Sequence, residues 1–427
     1  MRRRVELGLL TTALGIGAAG AALVAVARGA SLAPPEAATD GLHFGGILQV
    51  WLQVGLAVLL CHLVLRRLRP TADQLLFPVG VALTAIGLAV IFSLSPGQAQ
   101  RQVGWLWISL LVFVAALRWP GDLDRLRQLK YLMGLLTGLL LLLPMVAGQE
   151  INGARLWLKI GGFTLQPGEL AKVTLVFFLA GYLCSRAELL VAEPRRFGPL
   201  VLPDPQLLAP LLGMWALGMA MLVLLRDLGT ALLFFGTFVT MLYLATAQAA
   251  WLAAGAGSFL AGAWVMASWF SHVQTRLVTW LDPWSRIERG GYQIAQGLFA
   301  IAAGGVSGVG LGLGAAASIP AATTDFPFAA ICEELGWWGA AVVVALYAVL
   351  LQRALRAAVM QPDRFRGLLA GGLGSLLALQ ALVILAGVTK LVPLTGITLP
   401  FVSYGGSSLL TNFLVLALLL RCSEVRR

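Results

Sequence analysis

Ionisable side chains are costly beside lipid, so those that punctuate long apolar runs are the first candidates for chemistry. Glu169 and Lys172 stand three residues apart at the start of one such run. Arg226 and Asp227 separate two runs, Asp325, Glu333 and Glu334 surround the start of another, and Lys390 follows a further one. A Glu and a Lys at that spacing share a helix face and can pair. Asp282 and Glu288 lie in a longer segment, with Arg286 and Arg289 between and beside them. A carboxylate held near apolar surface is suited to general-base work, and paired guanidinium groups are suited to holding a diphosphate. The plain alternatives are helix caps and snorkelling side chains for the first set, and a solvated charged turn built on Asp282-Pro283 for the second. The gathering of so many charges at one face of a weakly charged chain favours a polar cavity for the first set. Taken alone, the residues of the second set favour the turn.

The elements that must position these groups are membrane spans. Of 427 residues, 59% are hydrophobic and 11% charged, whereas a soluble domain is nearer half apolar and a quarter charged. Mean hydropathy is +0.87. Apolar runs of ~20 residues, the length that crosses a bilayer core, recur along the chain. Alternating ten-residue patterns are missing, which argues against a membrane barrel. The pattern predicts an all-α polytopic protein of about twelve spans, at 6–27, 44–64, 75–95, 103–117, 131–148, 169–185, 207–225, 228–247, 250–270, 328–352, 367–389 and 405–420. Most of the 30 basic residues fall in alternate inter-span segments, among them Arg66, Arg67, Arg125, Arg127, Arg353, Arg364 and Arg366. The positive-inside rule then places both termini in the cytoplasm and explains the net charge of +11 without nucleic acid. The first run exceeds the usual signal-peptide core, so it is expected to be an anchor.

Four cysteines without CxxC spacing and three scattered histidines, His43, His62 and His272, predict neither a disulfide framework nor a metal cluster. On the outer side two segments are longer than connectors, 148–168 and 271–327. Long ordered loops are usually functional, and Trp280, Trp284 and Tyr292 argue that the second is ordered at the membrane surface or folded back among the helices. Within it the glycines of 304–314 lack the Gly-Lys-Ser/Thr of a phosphate loop, so a flexible or close-packed turn is expected. The stretch Pro400-Phe401-Val402-Ser403-Tyr404-Gly405-Gly406 interrupts an apolar pattern at membrane depth, where irregular backbone is tolerated only when it is buried or lines a cavity.

Several of these segments together resemble the SEDS family, the RodA/FtsW/SpoVE proteins. They are Gly153-Ala154-Arg155-Leu156-Trp157-Leu158, Gln166-Pro167-Gly168-Glu169-Leu170-Ala171-Lys172, Asp227-Leu228-Gly229-Thr230-Ala231, Gly291-Tyr292-Gln293, Thr324-Asp325-Phe326, Glu333-Glu334-Leu335-Gly336 and the 400–408 stretch. The likeness runs in order from about residue 75 to the C-terminus. Residues 1–70 then read as an additional N-terminal pair of spans and 71–427 as the family core, including the 271–327 loop.

The resemblance implies a peptidoglycan glycosyltransferase of the bacterial cytoplasmic membrane. It would polymerise lipid II at the outer face, for cell shape or division, alongside a class B penicillin-binding protein. A non-catalytic activator of such a partner, or a lipid-linked precursor transporter, are the rival readings. The implied substrate-binding residues are Arg155, Gln166, Glu169, Lys172, Asp227, Asp325, Glu334 and Ser403, with a structural role for the Glu169–Lys172 pair left open. No nucleotide or haem is expected, and a divalent cation is an open expectation. One position departs from the pattern. The loop aspartate that the family uses for catalysis aligns with Arg286, and arginine stays protonated in proteins. Glu288, or else Asp282, is then the expected base.

Overall fold

A backbone crossing hydrocarbon must satisfy its own hydrogen bonds, which is why apolar runs of this length fold as helices. The computed structural model describes residues 3–30, 44–119, 123–151, 154–161, 163–192, 194–197, 200–203, 209–210, 212–213, 216 and 227–424. Among them are eleven helices long and apolar enough to cross a membrane, and the protein is an all-α multi-pass membrane protein. The eleven are α1 (Arg4–Ala30), α2 (Phe44–Leu68), α3 (Leu76–Leu94), α4 (Pro96–Arg118), α6 (Lys130–Ala147), α7 (Pro167–Ala192), α8 (Leu228–Thr246), α9 (Ala250–Trp269), α12 (Pro327–Met360), α13 (Arg364–Val388) and α14 (Gly406–Ser423). The shorter α5 (Leu123–Gln128), α10 (Ser271–Leu281) and α11 (Tyr292–Gly304) join them. The expected seventh span, 207–225, lies largely outside the described residues, as does Arg226.

One span expectation and one loop expectation need correction. The fourth span begins at Pro96, not 103, because proline suits the first helical position and the Ser95 carbonyl accepts from Gln98 and Ala99. The segment 148–168 is not plain loop. Its β-prone residues form an antiparallel meander of β1 (Gln149–Ile151), β2 (Ala154–Ile160) and β3 (Phe163–Leu165), paired in the order β1-β2-β3. A second hairpin pairs β4 (Pro194–Phe197) with β5 (Leu200–Pro203). The 271–327 segment is ordered as expected, through α10, a 3-10 turn at Ile287–Arg289, α11 and a 3-10 turn at Ala316–Ser318.

The chain divides into two compact units. The first holds Met1–Arg118, Thr275–Arg353 and Gln380–Arg421. Its core is built on the buried α3 and α14, where Phe77 stacks on Phe113 at 5.0 Å, and Phe413 meets Phe113 and Phe401 edge-on. In α1 the buried Glu6 bridges Arg3 and His62 (2.7 Å), and Arg3 donates to the carbonyls of Ala72 and Asp73. Asp73 in turn receives Arg353 Nε at 2.8 Å. The second unit holds Trp119–Gln274, Ala354–Leu379 and Cys422–Arg427. Its centre is α7, flanked by α6 and α8, with Phe178 stacked on Tyr182. Arg366 pairs with Asp124 at 3.0 Å and Arg364 with Glu188 at 2.6 Å.

Candidate functional site

The residues singled out from the sequence divide between the units. Arg155, Gln166, Glu169, Lys172 and Asp227 belong to the second; Asp282, Glu288, Asp325, Glu334 and Ser403 belong to the first.

In the second unit, proline at the first turn of α7 starts the helix, and Glu169 and Lys172 both point into the protein interior. Lys172 Nζ lies 2.8 Å from Glu169 Oε2 and both side chains are buried. The pairing that their spacing predicted is therefore present, as an ionic contact. Gln166 and Asp227 meet on an apolar crevice lined by Leu140, Leu141, Pro144 and Leu156. Asp227 is the N-cap of α8 and accepts from the Thr230 N–H at 2.9 Å. Losing that cap should cost about 0.5–2 kcal/mol. Asp227→Ala is accordingly expected to lower the unfolding midpoint in detergent, whereas Asp227→Asn, which keeps the cap, should nearly match the wild type. Arg155 stands on β2, exposed, 3.5 Å from Glu150. Side chains alternate along a strand, so its neighbour Leu156 turns to the crevice while Arg155 does not.

In the first unit, the Pro-Phe-Val-Ser-Tyr-Gly-Gly stretch is an irregular turn clamped from several sides. Ser403 Oγ donates to the Thr324 carbonyl at 2.6 Å and accepts from Leu399 N at 2.7 Å. Tyr404 N donates to the Thr323 carbonyl. The Gln102 amide grips the turn twice, donating to Ser403 O and accepting from Gly405 N. The Ser403 hydroxyl proton is thus committed to the fold, which makes this serine a strut for the Thr324-Asp325 turn. Asp325 is partly exposed. Burial raises its carboxyl above the ordinary aspartate range, opposed by a hydrogen bond with the Thr324 side chain and by the Arg276 cation. Arg276 also donates to the carbonyls of Leu394 and Thr395 at 3.1 and 3.3 Å.

Asp282 is exposed and closes its own turn. It accepts from the Ser285 hydroxyl at 2.6 Å and from the Ser285 N–H at 3.2 Å. Those bonds hold its carboxyl below the ordinary aspartate range. Glu288 is exposed on the 3-10 turn Ile287–Arg289, and Arg286 is exposed at the start of the same turn. The turn closes tightly, with Gly291 N donating to the Arg286 carbonyl at 2.8 Å.

Glu333 and Glu334 are buried where α12 breaks at Gly336. Ser93 donates to the Glu334 carboxylate at 2.8 Å, and Ala315 N donates to Glu333 Oε1 at 3.0 Å. The glycine-rich stretch packs against this break: Val309 N and Gly310 N donate to the carbonyls of Glu333 and Glu334. It is a close-packed turn. Among the described residues no three of His, Cys, Asp and Glu gather as metal ligands.

Sequence reasoning missed Ser93, Gln102 and Arg276. Ser93 carried a usable signal, being a polar residue inside an otherwise apolar run, whereas Gln102 ends the polar stretch 95–102 and does not stand out in it. Arg276 carried none, because it stands in a polar stretch where cations are ordinary.

These features define a class: a multi-pass helical membrane protein with a buried ion pair at the start of one span and an irregular, hydrogen-bonded turn just before another. Residues 73–427 match the family model described as "Cell cycle protein", for FtsW, RodA and SpoVE. The chain is 39% identical over 376 residues to a protein named peptidoglycan glycosyltransferase RodA from Mycobacterium leprae, covering 86% of this chain and 81% of that one. It is 33% identical over 375 residues to a probable peptidoglycan glycosyltransferase FtsW from Idiomarina loihiensis, covering 84% and 88%. A solved chain from work on the structural coordination of polymerization and crosslinking by a peptidoglycan synthase complex superposes with a TM-score of 0.69, at 29% identity, over 82% of this chain and 96% of that one. The crystal structure of the rod shape determining protein RodA from Thermus thermophilus gives 0.57 at 28% identity, over 82% and 95%. The chain belongs to the FtsW/RodA/SpoVE family.

Proposed function

We propose that this protein is a peptidoglycan glycosyltransferase that polymerises lipid II at the outer face of the bacterial cytoplasmic membrane, with both termini in the cytoplasm. Membership of the family over residues 73–427 carries the reading. The arginine-rich segments support the orientation. The buried Glu169–Lys172 pair supplies fixed charge of the kind a lipid-linked diphosphate would need. Its partner in the membrane is a class B penicillin-binding protein, which would crosslink the glycan. The purified full chain with such a partner, given lipid II, is expected to yield a ladder of glycan chains on a gel. Lipid II that stays unpolymerised, while a known polymerase consumes it in a parallel reaction, would sink the proposal.

Arg286 favours a second reading, a non-catalytic activator of the same partner. Under that reading, Arg286→Asp should create polymerase activity where the wild type has none. An enzyme that uses another carboxylate should gain little from the change.

A further inference from the structure

We infer that α5, α6 and α7 form a seat for an anionic phospholipid, its phosphate held by Arg127, Lys130 and Arg186 and an acyl chain laid along the leucines of α6. The three helices belong to the second unit. α6 begins its span at Lys130 and α7 ends its span at Leu189. The β1–β3 meander joins the two helices, which pack against each other, so the start of one and the end of the other lie at the same end of the pair. Gly181 sets how close they come there. A Cβ built on it would lie 2.9 Å from Lys130 Cβ and 3.5 Å from Arg127 O. The missing side chain lets the corner between α5 and α6 settle against α7.

That approach gathers cations from three helices. The charged groups that act on the Lys130 ammonium are Arg186 and Arg127, both of its own sign. Lys130 Nζ donates to Ser185 Oγ at 2.9 Å, which leaves two of its three donors for a ligand. Arg127 is exposed and reaches Asp363 Oδ2 only at 4.0 Å. Arg186 is exposed, and no carboxylate among the described residues pairs with it. The acids of this region are engaged elsewhere. Glu188 pairs with Arg364 and Asp124 with Arg366, while Asp363 Oδ1 accepts from Arg366 N at 2.8 Å. Like charges held together repel, and an anion placed among them removes the repulsion. The positive-inside rule accounts for cations at this end of the spans; it does not account for their convergence on one closely packed corner.

The apolar half of the seat stands on α6 itself. Leu132, Leu135, Leu139 and Leu142 follow Lys130 at helical spacing, and all four are exposed. Tyr131 is exposed at the head of this stripe, with Lys130 Nζ 5.6 Å from its ring centre, and amphipathic rings of this kind settle at headgroup level. A phosphate on Lys130 therefore has a strip of leucines leading away from it into the hydrocarbon. A soluble anion would use the cations and leave the strip idle, whereas a phospholipid uses both, as head groups do in basic pockets between membrane helices.

The test uses the full chain in detergent, titrated with phosphatidylglycerol, cardiolipin, phosphatidylcholine or inorganic phosphate. It reads the unfolding midpoint together with the lipid retained in native mass spectrometry. The two anionic lipids should raise the midpoint and stay bound; phosphatidylcholine and inorganic phosphate should do neither at the same concentration. One Lys or Arg near an anionic lipid surface changes binding about fivefold. Arg186→Gln should therefore weaken phosphatidylglycerol binding by about that factor, and the triple variant Arg127→Gln, Lys130→Gln, Arg186→Gln by about 10²-fold. Arg186→Glu removes no hydrogen bond of the described residues, so it carries the test if the triple variant does not fold, and it should lose more than Arg186→Gln. Arg66→Gln with Arg67→Gln, at two exposed cations ending α2, should bind as the wild type does. Anionic lipids that bind no better than phosphatidylcholine overturn the proposal, as does wild-type affinity in Arg186→Glu. An equal loss in the Arg66, Arg67 variant overturns it in favour of diffuse surface charge, and stabilisation by inorganic phosphate alone overturns it in favour of a small-anion site. Polymerisation plays no part in the readout, so the outcome is independent of the function proposed above.

Discussion

Gly336→Ala is expected to remove most of the folded protein recovered from the membrane. Gly336 breaks α12 with φ +66° and ψ −165°, a combination that essentially only glycine adopts, at about 1–3 kcal/mol for other residues. Space is closed as well. A Cβ there would lie 2.3 Å from Gly308 N and 2.5 Å from Val306 O, and these are backbone atoms of the glycine-rich turn that no rotamer change can move aside. Overpacking of that kind adds about 1–3 kcal/mol. The turn cannot retreat, because Val309 and Gly310 donate to the carbonyls of Glu333 and Glu334, and Trp337 donates to Gly305 O. The combined cost, about 2–6 kcal/mol, is a large share of the ~5–15 kcal/mol that holds a protein together. Thermal unfolding in detergent, followed by size-exclusion profile, measures it. A variant that unfolds within a degree or two of wild type would mean that the helix is not broken there.

That break shows what a sequence does and does not disclose. Hydropathy located the spans because each apolar run must bury its own backbone polarity, a local requirement. The same logic made the i, i+3 spacing of Glu169 and Lys172 readable as a pair, and the structure contains it. The plainer reading of Asp282-Pro283 as a turn also matches what the bonds to Ser285 do. The β1–β3 meander was legible in principle, since Asn152-Gly153, itself outside the described residues, stands between two β-prone runs and is a strong hairpin dipeptide. Hydropathy hides such strands behind a polar average. What could not be read were contacts set by chain crossings far apart in sequence. Nothing local says that Ser93 serves Glu334, that Gln102 grips the 403–405 turn, or that Arg276 ties down Leu394 and Thr395. For the same reason nothing local shows that the Ser403 hydroxyl donates to the Thr324 carbonyl and accepts from Leu399 N.

Lys172→Met tests whether the buried pair in α7 serves stability, substrate or both. With the cation gone, Glu169 keeps a carboxyl among buried neighbours, one oxygen of which has no hydrogen-bond partner besides the ionic contact. Breaking a buried pair from one side typically costs about 3–5 kcal/mol, whereas replacing both members with neutral groups of similar size is often neutral. Lys172→Met is therefore expected to lower the unfolding midpoint sharply, and the double variant Glu169→Gln, Lys172→Met to regain most of it. The double variant then separates the two roles, since it folds without the charge. If it still polymerises lipid II, the pair is a structural element of α7 and the diphosphate is held elsewhere. If it folds but its KM for lipid II rises by an order of magnitude or more, Lys172 meets the substrate. A cation left in so apolar a place is worth its desolvation only when an anion shares it, and Glu169 alone would satisfy a purely structural lysine. The KM of the restored fold is consequently the measurement that decides between the two roles.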